Sequence, residues 1–408
     1  MAPKLRTKLN MDNLYKLILL IVLFKPLLLY VEISIGSNNR LSLDGLISAT
    51  IIVFGFFYTI MKFKYVLTLP SFKPFLFFLV YSGFSIFYVG DKLLYFIKMG
   101  RIASYFFIYI FLTKMINSEK RVNITINNLM LSYCFFCLPA ILMYNKYDIY
   151  QLESLGITSK NTFGILTALL GLFFLGQMST RSKKGIFWLK NIFLILLFLM
   201  LIFSYTRTAW LGFITGFIIL FFKSKNIKMN FAYFLLFILI IIFLWSYISI
   251  GTQDLEKTSL YRSSYYENSL EGRIFLYFPQ AIENWAKRPL FGHGLGSTKI
   301  LQYSSQLINK PPHNEYLQIL QELGLVGLLL FLYYLLSNFI PIYKVLNIKI
   351  KNEKERLNGI FMGFLGAFIA FVIMSFGQET FSNGTIGSFY IIIMSISHSC
   401  YLLVNKQN

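Results

Sequence analysis

Three histidines and a few separated arginines carry most of the chemistry this 408-residue sequence can offer. His313 follows Pro311-Pro312 and has Asn314 and Glu315 beside it, at the opening of a short apolar stretch. Asn314 is suited to cap a helix there. A neutral imidazole at such a place can take a proton from an attacking hydroxyl; a satisfied loop histidine fits the position equally well. His293 lies in Gly292-His293-Gly294-Leu295-Gly296, a turn no helix would tolerate, either as a surface residue or as a contact to nearby backbone. His398 sits among Ser and Ile in an apolar run and reads as packing. The candidate anion binders are Arg207, in Ser204-Tyr205-Thr206-Arg207-Thr208-Ala209-Trp210, and Arg273, with Lys98 and Arg101 as weaker ones. Arginine grips phosphate with two parallel N–H donors, which lysine cannot do.

The elements that must position these groups are membrane helices. Hydrophobic residues make up 56% of the chain and charged ones 13%, about half the charged share of a globular protein. Spanning a bilayer takes about 20 apolar residues, and apolar windows fall at 14–34, 43–61, 74–90, 94–113, 127–144, 161–178, 187–204, 208–222, 230–250, 325–346, 358–377 and 386–404. The expected fold is an all-α polytopic membrane protein of about twelve spans. Residues 1–250 hold the first nine, 251–324 form one large, partly helical loop, and 325–408 hold the last three. The excess of 38 Lys+Arg over 17 Asp+Glu would suggest nucleic acid in a soluble protein. Here Lys62, Lys64 and Lys73, then Lys114, Lys120 and Arg121, then Arg181, Lys183 and Lys184 crowd alternate links. The intervening links hold little more than Arg40, Lys92, Lys146, Lys160 and Arg207. Cytoplasmic loops carry the positive charge, so both termini are expected inside and the 251–324 loop outside. No small-residue cleavage site follows the basic N-terminus, which predicts an uncleaved first span.

Within the loop, Ile274, Phe278, Ala281 and Trp285 recur at helical spacing over Gly272–Lys287. Pro279 predicts a kink or two shorter pieces. A second short helix is expected from Asn314 to Gly324, so that the loop forms a compact lid. Lys98 and Arg101 fall one to two turns inside the outer end of the fourth span, with few acids near them in sequence. Cations gathered at one membrane face fit an anionic, phosphate-bearing ligand. No phosphate-binding glycine loop, dinucleotide fingerprint, HExxH or GxSxG occurs, and Glu379 stands as an isolated acid. No metal site or cofactor is expected. Cys134-Phe-Phe-Cys137 lies in an apolar run, as does Cys400, and all three read as small apolar fillers. Nucleotide sugars stay in the cytoplasm, so an enzyme on the outer face needs a donor already activated, such as a lipid-linked pyrophosphate sugar.

His313-Asn314, nine residues, then Gly324-Leu325-Val326-Gly327 resembles a motif of bacterial O-antigen ligases. Thr206-Arg207-Thr208-Ala209 resembles that family's arginine motif, with Thr206 where Ser is usual. Ser269-Leu270-Glu271-Gly272-Arg273, with the later Pro289 and Gly292-x-Gly294 turn, resembles its loop segment; His293 takes a variable site between the glycines. The three stand in the expected order across residues 200–377. The resemblance to the O-antigen ligase and polymerase superfamily implies a membrane-embedded (GT-C type), metal-independent, inverting glycosyltransferase in the bacterial inner membrane. Its donor would be a glycan on undecaprenyl pyrophosphate. Arg207 and Arg273 would bind the pyrophosphate, aided by Lys98 and Arg101, and His313 would activate the acceptor hydroxyl, supported by Asn314 and His293. The acceptor would be a lipid A–core sugar; the alternative is a polymerase using a second lipid-linked repeat unit. A lipid-linked oligosaccharide transporter is the reading from another class, but repeated halves and midplane charges are not evident.

Overall fold

In the computed structural model of the chain, the described residues are 19–20, 32–35, 39–144, 160–178, 184–204, 206–223, 238, 273–298, 312–346 and 355–405. Most of the first expected span, the 230–250 window apart from residue 238, and residues 251–272, with the Ser269–Gly272 motif, lie outside them. A short antiparallel hairpin opens the described chain, β1 (Glu32–Ile35) pairing with β2 (Asn39–Ser42). These two four-residue strands are a local exception in an otherwise helical described chain. Glu32-Ile-Ser-Ile35 alternates polar and apolar residues, the period of a strand rather than a helix, and it ends the first apolar window.

Helices follow wherever the other windows are described. They are α1 (Leu43–Met61), α2 (Phe72–Phe84), α3 (Lys92–Met115), α4 (Glu119–Tyr144), α5 (Lys160–Met178), α6 (Lys184–Phe203), α7 (Arg207–Lys223), the short α8 (Phe278–Lys287), α9 (Glu315–Leu346), α10 (Glu355–Met374) and α11 (Gly384–Asn405). Five of them, α3, α5, α9, α10 and α11, are long and apolar enough over their described residues to cross a membrane. The chain is a helical membrane protein. Large apolar side chains such as Phe54, Phe57, Phe87 and Phe222 stand exposed, which suits a lipid-facing belt and would be costly in water.

Without a hydrophobic drive between spans, helices associate through close backbone approach at small residues. The group α5, α7 and α10 follows that rule. A Cβ added at Gly176 of α5 would sit 2.2 Å from the Gly363 nitrogen of α10. One added at Gly216 of α7 would meet the Gly366 carbonyl oxygen at 2.6 Å. α6 packs on α5, while α2, α3, α9 and α11 form a second group joined to the first where α9 and α11 meet α10 and α11 meets α5.

His398 is buried in α11, as its setting predicts, and is also hydrogen-bonded. The Tyr109 hydroxyl lies 3.0 Å from its Nδ1 and Nε2 reaches the Asn338 carbonyl at 3.2 Å, tying α3, α11 and α9 together. Cys137 and Cys400 are buried and Cys134 is half-buried, and none of the three is in a disulfide. Lys114, at the end of α3, lies over the ring of Tyr65, so the basic α1–α2 link and the basic α3–α4 link share one end of the bundle. By the charge rule that end is expected to be cytoplasmic. A cysteine at exposed Glu283 is therefore expected to react with an impermeant thiol reagent in intact cells, and one at exposed Lys62 only after permeabilisation. The reverse pattern would invert the topology.

Candidate functional site

The opposite end of the bundle is organised by the link between α10 and α11, residues 375–383, and by the three residues that dock onto it, His313-Asn314-Glu315. Glu315 donates its backbone N–H to the Ser375 carbonyl at 2.8 Å. Its buried carboxylate accepts from the backbone N–H groups of Phe381 (2.9 Å) and Ser382 (3.0 Å) and from the Ser382 hydroxyl (2.6 Å). A buried carboxylate survives only with such partners. Asn314 caps α9 as expected, its side-chain oxygen accepting from the Leu317 N–H at 3.1 Å.

Gly324 interrupts α9 with φ +68° and ψ −169°, separating a short first piece from the membrane span. A Cβ there would lie 2.3 Å from the Leu290 carbonyl oxygen, so only glycine fits. The expected short helix closed by Gly324 is present.

His313 sits at φ +49°, a left-handed conformation that non-glycine residues adopt rarely. Its N–H donates to Glu379 Oε1 at 2.9 Å, and its ring Nδ1 lies 3.5 Å from Oε2 of the same carboxylate. Nδ1 is buried and makes no hydrogen bond. Tyr277 meets the imidazole edge to face, with centroids 5.9 Å apart. Burial would raise the Glu379 pKa, but hydrogen bonding from His313 and its charge outweigh burial and hold the carboxyl below its ordinary value. Glu379 is therefore not the isolated acid the sequence suggests. It is a partner 66 positions from His313, and separation in sequence hid it. A carboxylate beside Nδ1 favours the tautomer protonated there, leaving Nε2 with the lone pair.

Arg273 opens a five-residue π-type turn, Arg273–Tyr277, that runs into α8. Pro279 stands in the first turn of α8, where its missing N–H costs nothing. The two-piece expectation holds, but the buried stripe is Tyr277, Ala281 and Asn284, while Ile274 is exposed. The predicted face is off by one residue because Tyr277 turns inward onto His313. The Arg273 guanidinium donates Nη1–H to the Gly377 carbonyl at 2.7 Å. Its Nε is buried with no acceptor. Burial lowers its pKa, opposed by the negative charge of Glu379; an arginine stays cationic at neutral pH regardless.

Arg207 is exposed at the first position of α7, the positive end of the helix dipole and the least favourable place for a cation. A Cβ added at Gly377 would fall 2.8 Å from the Thr208 side chain. The Arg207 segment and Arg273 thus both reach Gly377, two residues before the His313 partner.

Lys98 and Arg101 behave differently. Lys98 is ion-paired with buried Glu322, whose same oxygen also accepts from Thr298 and, at 3.4 Å, from Gln318. The expectation of an unpaired cation is corrected for Lys98, because its acid lies 224 positions away. Arg101 donates to the Ser382 carbonyl and so braces the link from its far side. His293 closes its own turn. Its ring Nε2 donates to the Asn284 carbonyl at 2.7 Å and its N–H donates to the Gln321 carbonyl at 3.1 Å. That turn meets the far end of the short helix, on the order of 10 Å from His313 at the 1.5 Å rise per residue. Among the described residues, no group of three His, Cys, Asp or Glu side chains comes together to hold a metal.

Residues 192–332 match the family model for O-antigen ligases. The match covers about a third of the chain and resembles that superfamily, whose members are glycosyltransferase-like membrane enzymes. It contains Arg207, Arg273, His293 and the whole His313–Gly327 motif, and it ends well before Glu379. No curated protein matches the chain.

The His313–Glu379 pair yields a prediction with a defined sign. A carboxyl whose folded pKa is depressed stabilises the fold fully above its unfolded value, about 4.3. That contribution is lost as pH falls through the lower folded value. Glu379→Gln should flatten the acid arm of the stability profile in detergent micelles and, by releasing the imidazole, cut activity about 100-fold or more. An acid arm as steep as the wild type's would separate Glu379 from the effect.

Proposed function

We propose that the chain is an O-antigen ligase-type glycosyltransferase working at the outer face of the bacterial inner membrane. It moves a glycan from undecaprenyl pyrophosphate to a lipid A–core sugar hydroxyl. The observation that carries this reading is the convergence of His313, backed by a carboxylate, with Arg273 and the Arg207 segment on the three residues Gly377–Glu379. In the proposed step, His313 Nε2 takes the proton of the acceptor hydroxyl as that oxygen attacks the anomeric carbon. Glu379 steadies the imidazolium that forms, as a buried acid does beside a catalytic histidine. Arg273 and Arg207 stabilise the charge on the departing pyrophosphate. Attack opposite the leaving group inverts the anomeric configuration, and no metal is required where two guanidinium groups neutralise the leaving group. Arg101 and Lys98 support this site from behind: Arg101 holds the link that presents Glu379, and Lys98 fixes the short helix through Glu322.

Arg207→Lys and Arg273→Lys should retain the fold and lose about 100-fold or more in turnover, since lysine keeps the charge but not the two-pronged contact. His313→Ala should lower transfer by about 10²–10⁴-fold with donor binding intact, whereas His293→Ala should act mainly on stability. Full transfer by His313→Ala, with His293→Ala inactive, would move the base to the turn. The acceptor is tested by reconstitution with a lipid-linked glycan, offering lipid A–core against a second lipid-linked unit. Product on lipid A–core alone fits a ligase. Chain extension on the lipid carrier would instead make the enzyme a polymerase with the same donor site.

A further inference from the structure

The elbow Arg288–Gly292, which joins α8 to the His293 turn, is held rigidly and yet presents apolar side chains outward. Its backbone is tied down: the Pro289 and Leu290 carbonyls accept from the N–H groups of Leu325 and Val326, and the Trp285 indole donates to the Pro289 carbonyl at 2.9 Å. Leu290 and Phe291 nevertheless remain 54% and 58% exposed. A groove of about 500 Å³ runs between them, Tyr88, Pro289 and Gly292, and Arg288 is the one charged residue in its lining.

The groove continues a surface already turned toward lipid. Phe77, Val80 and Phe84 form an exposed stripe at helical spacing along α2, extended by Phe87 in the 3-10 turn that follows. Tyr88 comes next, and its hydroxyl donates to the Phe291 carbonyl at 2.9 Å. Tyr88 thus joins the exposed α2 stripe to the elbow that carries Leu290, Phe291 and Arg288.

We propose that this groove binds an anionic phospholipid of the surrounding leaflet, acyl chain along the α2 stripe and Tyr88–Phe291, phosphate against Arg288. An apolar channel with a single guanidinium in its lining, at the end of the helix bundle, has the chemistry of one lipid chain under one phosphate. The bound lipid fixes α8 and the Gly292–Gly296 turn at the interface, and through Leu325 and Val326 it steadies the helix that carries His313. The inference rests on the membrane character of the chain and not on the reaction proposed above.

The experiment uses the full chain in nanodiscs, with the three native cysteines changed to alanine and a bimane label on Leu290→Cys. Phosphatidylglycerol carrying an acyl-chain nitroxide should quench the label about fivefold more effectively than the phosphatidylcholine equivalent, the preference that one arginine near an anionic headgroup provides. Arg288→Gln, with its melting temperature checked, should make the two lipids equal. Aqueous iodide should reach a label at Glu283→Cys and not the one at Leu290. Iodide access equal at both positions would show a wet groove, and equal quenching by both lipids in the parent protein would remove the headgroup site. Either result overturns the proposal. Displacement of the nitroxide lipid by equimolar polyprenyl phosphate would also overturn it, by giving the groove to the donor's carrier.

Discussion

The site depends on one buried carboxylate. Glu315 takes three hydrogen bonds from Phe381 and Ser382 while its own N–H reaches Ser375. Those contacts pin the start of α9 across both ends of the α10–α11 link. Everything catalytic in the proposed reaction is placed by that clamp. His313 is two residues before Glu315, and Glu379 lies inside the link it spans. Gly377, where Arg273 docks and Thr208 packs, lies inside it as well. A shift of the clamp would move base, orienting acid and cation sites together. Removing one partner of a buried hydrogen-bonded network leaves the other group desolvated and unsatisfied, so the cost is large. The left-handed backbone of His313 is consistent with this, since strain at one residue persists only where its surroundings over-determine it.

The legible parts of the molecule were those encoded over short distances. Asn314 reads as a cap because capping is a three-residue interaction, and Gly324 reads as a helix end because only glycine takes its conformation. Windows of apolar residues mark helices because a span is local and about 20 residues long. Pairings across the fold were hidden. Lys98 looked unpaired because its acid, Glu322, sits on another helix beyond the long loop, and Glu379 looked isolated for the same reason. The face of α8 was mis-phased by one residue because a count of apolar spacing cannot anticipate Tyr277 turning inward onto a histidine. β1 was missed because its four residues trail an apolar window and were absorbed into it.

The family resemblance has a matching limit. It spans 192–332 and so includes the arginines and His313 but not Glu379, Arg101 or Lys98. A contiguous stretch can carry the groups proposed to touch substrate. The groups that orient them come from the first and last thirds of the chain, brought in by the packing of α3, α10 and α11.

Charge accounting at that end of the bundle separates the cations by what they can still do. Lys98 is neutralised by Glu322, and Arg101 spends a donor on the Ser382 carbonyl. Arg273 spends Nη1 on the Gly377 carbonyl and leaves a buried Nε–H with no acceptor. A guanidinium donor kept out of water and unpaired costs about 1–3 kcal/mol or more, and nearby Glu379 is already engaged by His313. Arg207 adds a second exposed cation at a helix end that disfavours it. Such arrangements are costly unless an anion completes them. In the proposed reaction a pyrophosphate carries enough oxygens to satisfy both arginines at once, and its departure is the moment when their charge would count most.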